Sequence, residues 1–287
     1  MTEHLSADTA MGAVTLRVAD LDGMTSYYRD AVTLEVLDAH GDRVTLGRGG
    51  RPLVILQHAP ELRHAPHGSA GLFHTAILFE SRAALAAALY GVATHAPGTF
   101  TGSADHLVSE AFYMTDPEGN GVELYVDRAR SAWSWTHGQI EMDTLFLDPN
   151  TFLRTHLTEA AAGGVRDGSD AVVGHVHLSV GDVDTARRFY VDELGFDQTL
   201  AMGQQALFVS AGGYHHHMAM NVWNSRGAGP RMPALGLGQV DLVLPTPDAL
   251  GELTERLHHH DAEVRDDGRT VSFGDPWNNL LRATVAA

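Results

Sequence analysis

The chain reads as an α+β protein built from four βαβββ modules in two tandem domains, and three observations predict it. A strand-helix-strand unit recurs, since "VADLDGMTSYYRDAVTLEVL" from Val18 corresponds to "VGDVDTARRFYVDELGFDQTL" from Val180. A turn that feeds a last strand recurs as well, as "DPEGNGVELYV" from Asp116 and "DPWNNLLRATV" from Asp275. Within each half a weaker copy reads strand, turn, helix again, in "GLFHTAILFESRAALAAALY" and "LGQVDLVLPTPDALGELTERL". A long repeat period outranks local patterning in deciding a fold. The expected boundaries are a first domain over residues 1–157, a Gly-, Ala- and Asp-rich linker over 158–171 centred near Gly163, and a second domain over 172–287.

Alternation assigns the strands that matter. In "GHVHLSV", Val176, Leu178 and Val180 share one face while His175, His177 and Ser179 share the other, because side chains along a strand alternate. In "HTAILF", Thr75, Ile77 and Phe79 leave His74 on the opposite face, and in "GVELYV" the apolar Val122, Leu124 and Val126 leave Glu123 and Tyr125 together. The segment "GGYHHHMAMNVW" looks like a buried strand interrupted by three histidines. If it is one, His216 points to one side and His215 and His217 to the other. The second triplet, His258 to His260, ends the apolar pattern of "LGELTERLHHH" and reads as a solvated helix C-terminus, where positive charge suits the helix dipole.

Composition narrows the chemistry. The 287 residues carry 36 acidic and 19 basic side chains, a formal charge of -17 that repels nucleic acid and anionic membranes. There is no cysteine, and every basic residue is arginine. Thiolate nucleophiles, sulfur-ligated metals, disulfides and Schiff-base lysines are therefore excluded. No apolar run approaches the length of a membrane span and no basic-then-apolar leader opens the chain, so the expected location is the cytoplasm. A small organic ligand is the expected partner.

A carboxylate alternating with three core positions is costly to bury unless it is paired or ligating. Glu123, His74 and His175 each occupy the polar face of an otherwise apolar strand. A single strand histidine is ordinarily just a hydrogen-bonded core or surface residue. Two imidazoles and one carboxylate together, however, make the facial triad that holds non-haem Fe(II) and leaves positions open for substrate and oxygen. Imidazole and carboxylate donors accept Mn(II) as well as Fe(II).

The segments "GHVHLSVGDVDTARRFYVDELGF", "SAGGYHHHMAMNVWNSRGAGP" and "DHLVSEAFYMTDPEGNGVELYVDR" resemble the two-domain, catechol-2,3-dioxygenase-like branch of the vicinal oxygen chelate superfamily, and the resemblance covers nearly the whole chain. It implies tandem vicinal-oxygen-chelate domains and an extradiol dioxygenase acting on a small aromatic diol with O2. It also implies that His74 and Glu123 of module two and His175 of module three hold one metal in a cavity spanning the two halves. Fe(II) is the foremost candidate and Mn(II) the alternative. Modules one and four depart from the pattern, with Ala13 and Gln239 in the histidine position and Arg282 in place of the carboxylate. Module four is accordingly degenerate.

The family's tyrosine, ten residues before the ligating carboxylate, corresponds to Tyr113, and its acid/base histidine, three residues before a small residue, to His216. His106, His177 and His217 are further candidates for lining the pocket. The resemblance admits a homo-oligomer. Two other readings stay open at this level: a glyoxalase-like metal-dependent lyase or isomerase, and a metal-free protein that sequesters a small molecule.

Overall fold

The computed structural model describes residues 4–165 and 168–286. Four copies of strand, helix and three strands are present. Module one is β1 (Ala10–Val18), α1 (Leu21–Ser26), β2 (Glu35–His40), β3 (Arg43–Arg48) and β4 (Arg51–His58). Module two is β5 (Gly71–Phe79), α2 (Arg82–His95), β6 (Phe100–Asp105), β7 (Ser109–Thr115) and β8 (Gly121–Asp127). A connection comes next, containing β9 (Trp135–Thr136), β10 (Gln139–Ile140), α3 (Pro149–His156) and α4 (Glu159–Ala162). Module three is β11 (Ala171–Ser179), α5 (Val183–Arg187), β12 (Asp197–Ala201), β13 (Ala206–Ser210) and β14 (Met218–Asn221). Module four is β15 (Gly236–Leu244), α6 (Pro247–His259), β16 (Val264–Asp266), β17 (Thr270–Gly274) and β18 (Leu280–Val285). Positions 166 and 167 of the expected linker lie outside the described residues, and β11 already begins at its last position, Ala171.

The helix starts follow ordinary capping chemistry. The side chains of Asp20, Ser81, Asp182 and Thr246 each accept a hydrogen bond from a backbone N–H in the first turn of α1, α2, α5 and α6, which satisfies donors that a helix N-terminus otherwise leaves open. His258 and His259 close the last turn of α6 and His260 caps it, as the sequence pattern predicts.

The strands form two eight-stranded sheets, and each draws on both halves of the chain. One runs β12-β13-β14-β11-β5-β8-β7-β6, joining modules three and two; the other runs β16-β17-β18-β15-β1-β4-β3-β2, joining modules four and one. The seams are antiparallel, β5 against β11 and β1 against β15. Within a sequence half, the two modules therefore lie in different sheets. Buried hydrogen bonds tie them: Tyr28 of module one donates to Asp116 of module two at 3.0 Å, and Tyr190 of module three to Asp275 of module four at 2.9 Å. Each aspartate also collects the backbone N–H and side-chain amide of the asparagine four residues on, Asn120 or Asn279. One apolar core runs through both sheets, from Val14, Leu16 and Leu46 to Val176, Leu178 and Met220.

The β5–β11 seam aligns the polar side chains of modules two and three. Register places His175 beside Ala76, Ala76 beside Glu123 and Glu123 beside Tyr113, so these four side chains form one row across β11, β5, β8 and β7. In the next row His177 pairs with His74 and His74 with Gly121. Gly121 has no room for a side chain, because a Cβ there would lie 2.1 Å from the Phe73 carbonyl oxygen. Small residues at 76 and 121 leave space for the imidazoles and carboxylate to converge above the sheet.

Truncating Asp275 to Ala strips the buried Tyr190 hydroxyl and the Asn279 amide of their acceptor at once. Each buried group left unsatisfied costs about 1–3 kcal/mol. Asp275→Ala is expected to lower unfolding free energy by at least ~2 kcal/mol in urea denaturation; a variant with the parent's stability would show that the tie between modules three and four carries no load.

Candidate metal centre and active site

Three donors meet above Ala76. His74 Nε2 lies 2.9 Å and His175 Nε2 3.1 Å from Glu123 Oε2, and the two imidazole nitrogens are 3.4 Å apart. All three residues are buried, and among the described residues they are the cluster of histidine and carboxylate groups that could hold a metal ion. Donors about 2.0–2.2 Å from a common cation and at right angles to one another lie about 3.0 Å apart. The observed separations run from that value to slightly above it, so all three donors can reach one cation. His175 Nδ1 is buried without a hydrogen-bond partner, which leaves Nε2 as the only nitrogen of that ring with a polar contact.

Charge follows the same logic. Burial raises the proton affinity of the Glu123 carboxyl, but the charges and hydrogen bonds of His175 and His74 outweigh it and hold the group well below the usual carboxylate range. Burial drives His175 down to about 4, although Glu123 pulls the other way. At neutral pH the cluster thus offers an anionic oxygen and a deprotonated imidazole, the forms a metal ion needs.

The cluster sits in a cavity of about 490 Å³ lined also by His106, Tyr113, His177, Phe208, His216 and Trp223. Tyr113 is next to Glu123 in the row, and burial together with the Glu123 charge keeps its phenol protonated, well above its ordinary range. His106 reaches the Asp143 carbonyl with Nδ1 at 2.7 Å and the Tyr113 hydroxyl with Nε2 at 2.6 Å. A carbonyl only accepts, so His106 carries its proton on Nδ1 and takes the Tyr113 O–H on Nε2. His177 packs against Phe73, Trp223 and Phe208 at ring-centroid distances of 4.9, 5.4 and 5.9 Å, and its Nε2 receives the Asn221 amide at 3.0 Å. Burial holds His177 and His216 well below the usual imidazole range, with the surrounding histidines adding to the effect.

The triplet corrects one expectation. His215, His216 and His217 precede β14 rather than lie in it, along a bent segment that comes after the turn at Gly212 and Gly213. His215 and His216, expected on opposite faces, touch through their Nδ1 atoms at 2.7 Å. His216 lines the cavity. His217 does not: its Nδ1 accepts the Ala211 N–H at 3.2 Å, its ring packs on Tyr214, and burial takes it down to about 3. Seven of the eight candidate residues therefore meet around one space, and His217 is the exception. Phe73, Met142 and Trp223 also line it and carry no polar signature that would single them out in a sequence.

Gln239, the remaining amide at a first-strand ligand position, belongs to the other sheet. Its side chain donates to Asp241 at 2.6 Å, and Asp241 also receives Arg282. An ion pair fills the place where modules two and three keep their donors.

A pair of mixed modules that share one sheet, with two imidazoles and a carboxylate over an open cavity, defines a vicinal-oxygen-chelate type of protein. The chain belongs to the Glyoxalase/Bleomycin resistance protein/Dioxygenase superfamily, whose family model matches residues 10–124 and 172–282. It is 37% identical over 277 residues to the catechol-2,3-dioxygenase of Bacillus subtilis (strain 168), covering 94% of each chain. Among solved structures it resembles a protein of Bacillus subtilis subsp. subtilis str. 168 with a TM-score of 0.65 at 12% identity, over 99% of this chain and 86% of that one. Glyoxalase I of Zea mays is also similar, with a TM-score of 0.56 at 15% identity, over 97% and 92%. The two structural likenesses show the fold, and the curated relative supports an enzyme of dioxygenase type. Among the described residues no helix is long and apolar enough to cross a membrane.

This geometry sets two expected outcomes. His74→Ala, Glu123→Ala and His175→Ala should each abolish retention of a divalent metal through gel filtration, while Gln239→Ala retains as much as the parent; full occupancy in the His175→Ala protein would mean that the modules are wrongly paired. Stability should also fall on acidification. An exposed histidine in the unfolded chain titrates near 6.5, whereas His175 does so at about 4 in the fold. Between those values the unfolded state binds a proton that the native state refuses, so ΔG of unfolding decreases as pH drops. The melting temperature of the metal-free protein should be lower at about pH 4.5 than at about pH 7, and an unchanged value would contradict the burial of neutral imidazoles.

Proposed function

We propose that the chain is an extradiol dioxygenase that opens the ring of a catechol-type substrate with O2, using Fe(II), or Mn(II) in its place, held by His74, Glu123 and His175. The observation that carries this reading is the convergence of those three donors in a cavity that also presents Tyr113 and His216. A relative named catechol-2,3-dioxygenase at 37% identity supports it. Held by these three residues, such a metal would supply the redox chemistry that a protein side chain lacks.

The side chains do the rest. Phe73, His177 and Trp223 form an aromatic wall against which a flat ring can lie edge-on or offset. Tyr113, kept as a phenol, donates a hydrogen bond to a substrate oxygen once it turns from His106. His216, neutral in its buried position, takes the proton of the second hydroxyl and returns it as the ring opens, the work of a general base and then a general acid.

Fe(II)-loaded protein, prepared without oxygen and then mixed aerobically with catechol, should give a yellow ring-cleavage product; absence of ring opening with catechol and alkylcatechols alike would overturn the assignment. His216→Ala should keep its metal and bind catechol anaerobically yet lose roughly 10²- to 10⁴-fold in kcat. Loss of metal in that variant would instead make His216 a ligand.

A further inference from the structure

His215 is fully buried, faces away from the cavity, and has no part in the proton transfer assigned to His216. Its polar contacts are nevertheless complete. Nε2 lies 3.0 Å from Asp127 Oδ1, and Nδ1 lies 2.7 Å from His216 Nδ1. Tyr214 stacks on its ring at 4.0 Å, with Trp133 at 5.3 Å and Tyr125 at 6.2 Å, so the imidazole cannot turn without displacing three aromatic side chains. The Tyr125 and Tyr214 hydroxyls are bonded to each other at 2.7 Å, which fixes two of those walls.

Proton positions along this chain of contacts are set by the acceptor at its end. A carboxylate accepts and does not donate, so the His215 nitrogen facing Asp127 carries the ring's N–H. A neutral imidazole has one such N–H, which leaves His215 Nδ1 as a bare acceptor. The contact at 2.7 Å then closes only if His216 donates from Nδ1. His216 Nε2 is left unprotonated, and no described residue bonds to it.

We infer that Asp127 and His215 are positioning residues which, acting in series, hold His216 in the Nδ1–H tautomer and so keep Nε2 as a proton acceptor toward the cavity. The inference rests on the reading of His216 as the residue that takes the substrate proton. A proton leaving the catechol hydroxyl binds the Nε2 lone pair, and the Nδ1–H bond to His215 stays in place, so the transfer requires no ring flip. Without the carboxylate, His215 can place its N–H on Nδ1. The hydrogen bond to His216 then reverses and forces the His216 proton to Nε2, the form that cannot accept.

Long-range 15N–1H correlation of the full-length, metal-free protein labelled at histidine nitrogen reads the tautomer directly, with His216 assigned by loss of its signals in His216→Ala. The parent should show His216 protonated at Nδ1 at mildly alkaline pH, and Asp127→Ala should shift it toward Nε2–H. In the Fe(II)-loaded enzyme the same variant should lose roughly 10- to 100-fold in kcat, less than removal of the acid/base itself, with KM for catechol changed by no more than about threefold. A purely structural role for Asp127 would alter stability and leave the tautomer and the kcat-to-KM split untouched, and that result overturns the inference. If Asp127→Ala does not fold, the parent still decides, because a His216 protonated at Nε2 is incompatible with the relay. The tautomer is measured without substrate, so a protein that cleaves no catechol would refute the proposed activity while this measurement still stands or fails alone.

Discussion

Everything at the centre of this molecule answers to one buried carboxylate. Glu123 is 2% exposed in the interior of an eight-stranded sheet, where an unpaired charge would cost several kcal/mol. Two imidazoles from two other strands remove that cost in the metal-free protein by hydrogen bonding to it. They can do so only because β5 and β8 run side by side in parallel and β11 joins β5 in antiparallel register. The same convergence that makes the carboxylate tolerable makes it a ligand set, so the stability of the sheet and the chemistry of the cavity are one constraint.

The other sheet shows what happens when that constraint is solved differently. There Asp241 is the buried carboxylate, and it is neutralised within module four by Arg282, with the Gln239 amide completing its hydrogen bonding. A guanidinium is permanently charged and donates in a planar fork, so it satisfies the aspartate and occupies the space that a cation would need. The two sheets keep the same strand order, and one gathers two imidazoles and a carboxylate where the other carries an ion pair between Arg282 and Asp241. Duplication supplied two equivalent faces; the residues at three strand positions separate them.

Much of this architecture is legible in the residues. The repeat locates the four modules, and the period of two along "GHVHLSV", "HTAILF" and "GVELYV" puts His175, His74 and Glu123 on polar faces. The same period holds a further signal, because Glu123, Tyr125 and Asp127 alternate along β8 and all three reach the histidine cluster. What period cannot express is which sheet a module joins. The tandem halves look like two self-contained domains, whereas the sheets are assembled across them and the modules of each half are stitched by Tyr28–Asp116 and Tyr190–Asp275.

The histidine triplet marks where local pattern stops being informative. Alternation is a property of hydrogen-bonded strand, and β14 begins only at Met218. Ala219 packs with Phe208 on the cavity side, so strict alternation carried back from it would turn His217 inward. The bend ahead of the strand turns His216 inward instead and sends His217 against Phe196 and Tyr214. Residue order was enough to define the modules, the donor types and the faces they occupy, because periodicity is a local consequence of backbone geometry. The pairing of modules into sheets, and the choice of which histidine of the triplet meets the cavity, came from packing in three dimensions: the first joins strands whose donors lie 101 residues apart, and the second follows from the bend before β14 and the packing of its neighbours, including the contact of His215 with Asp127.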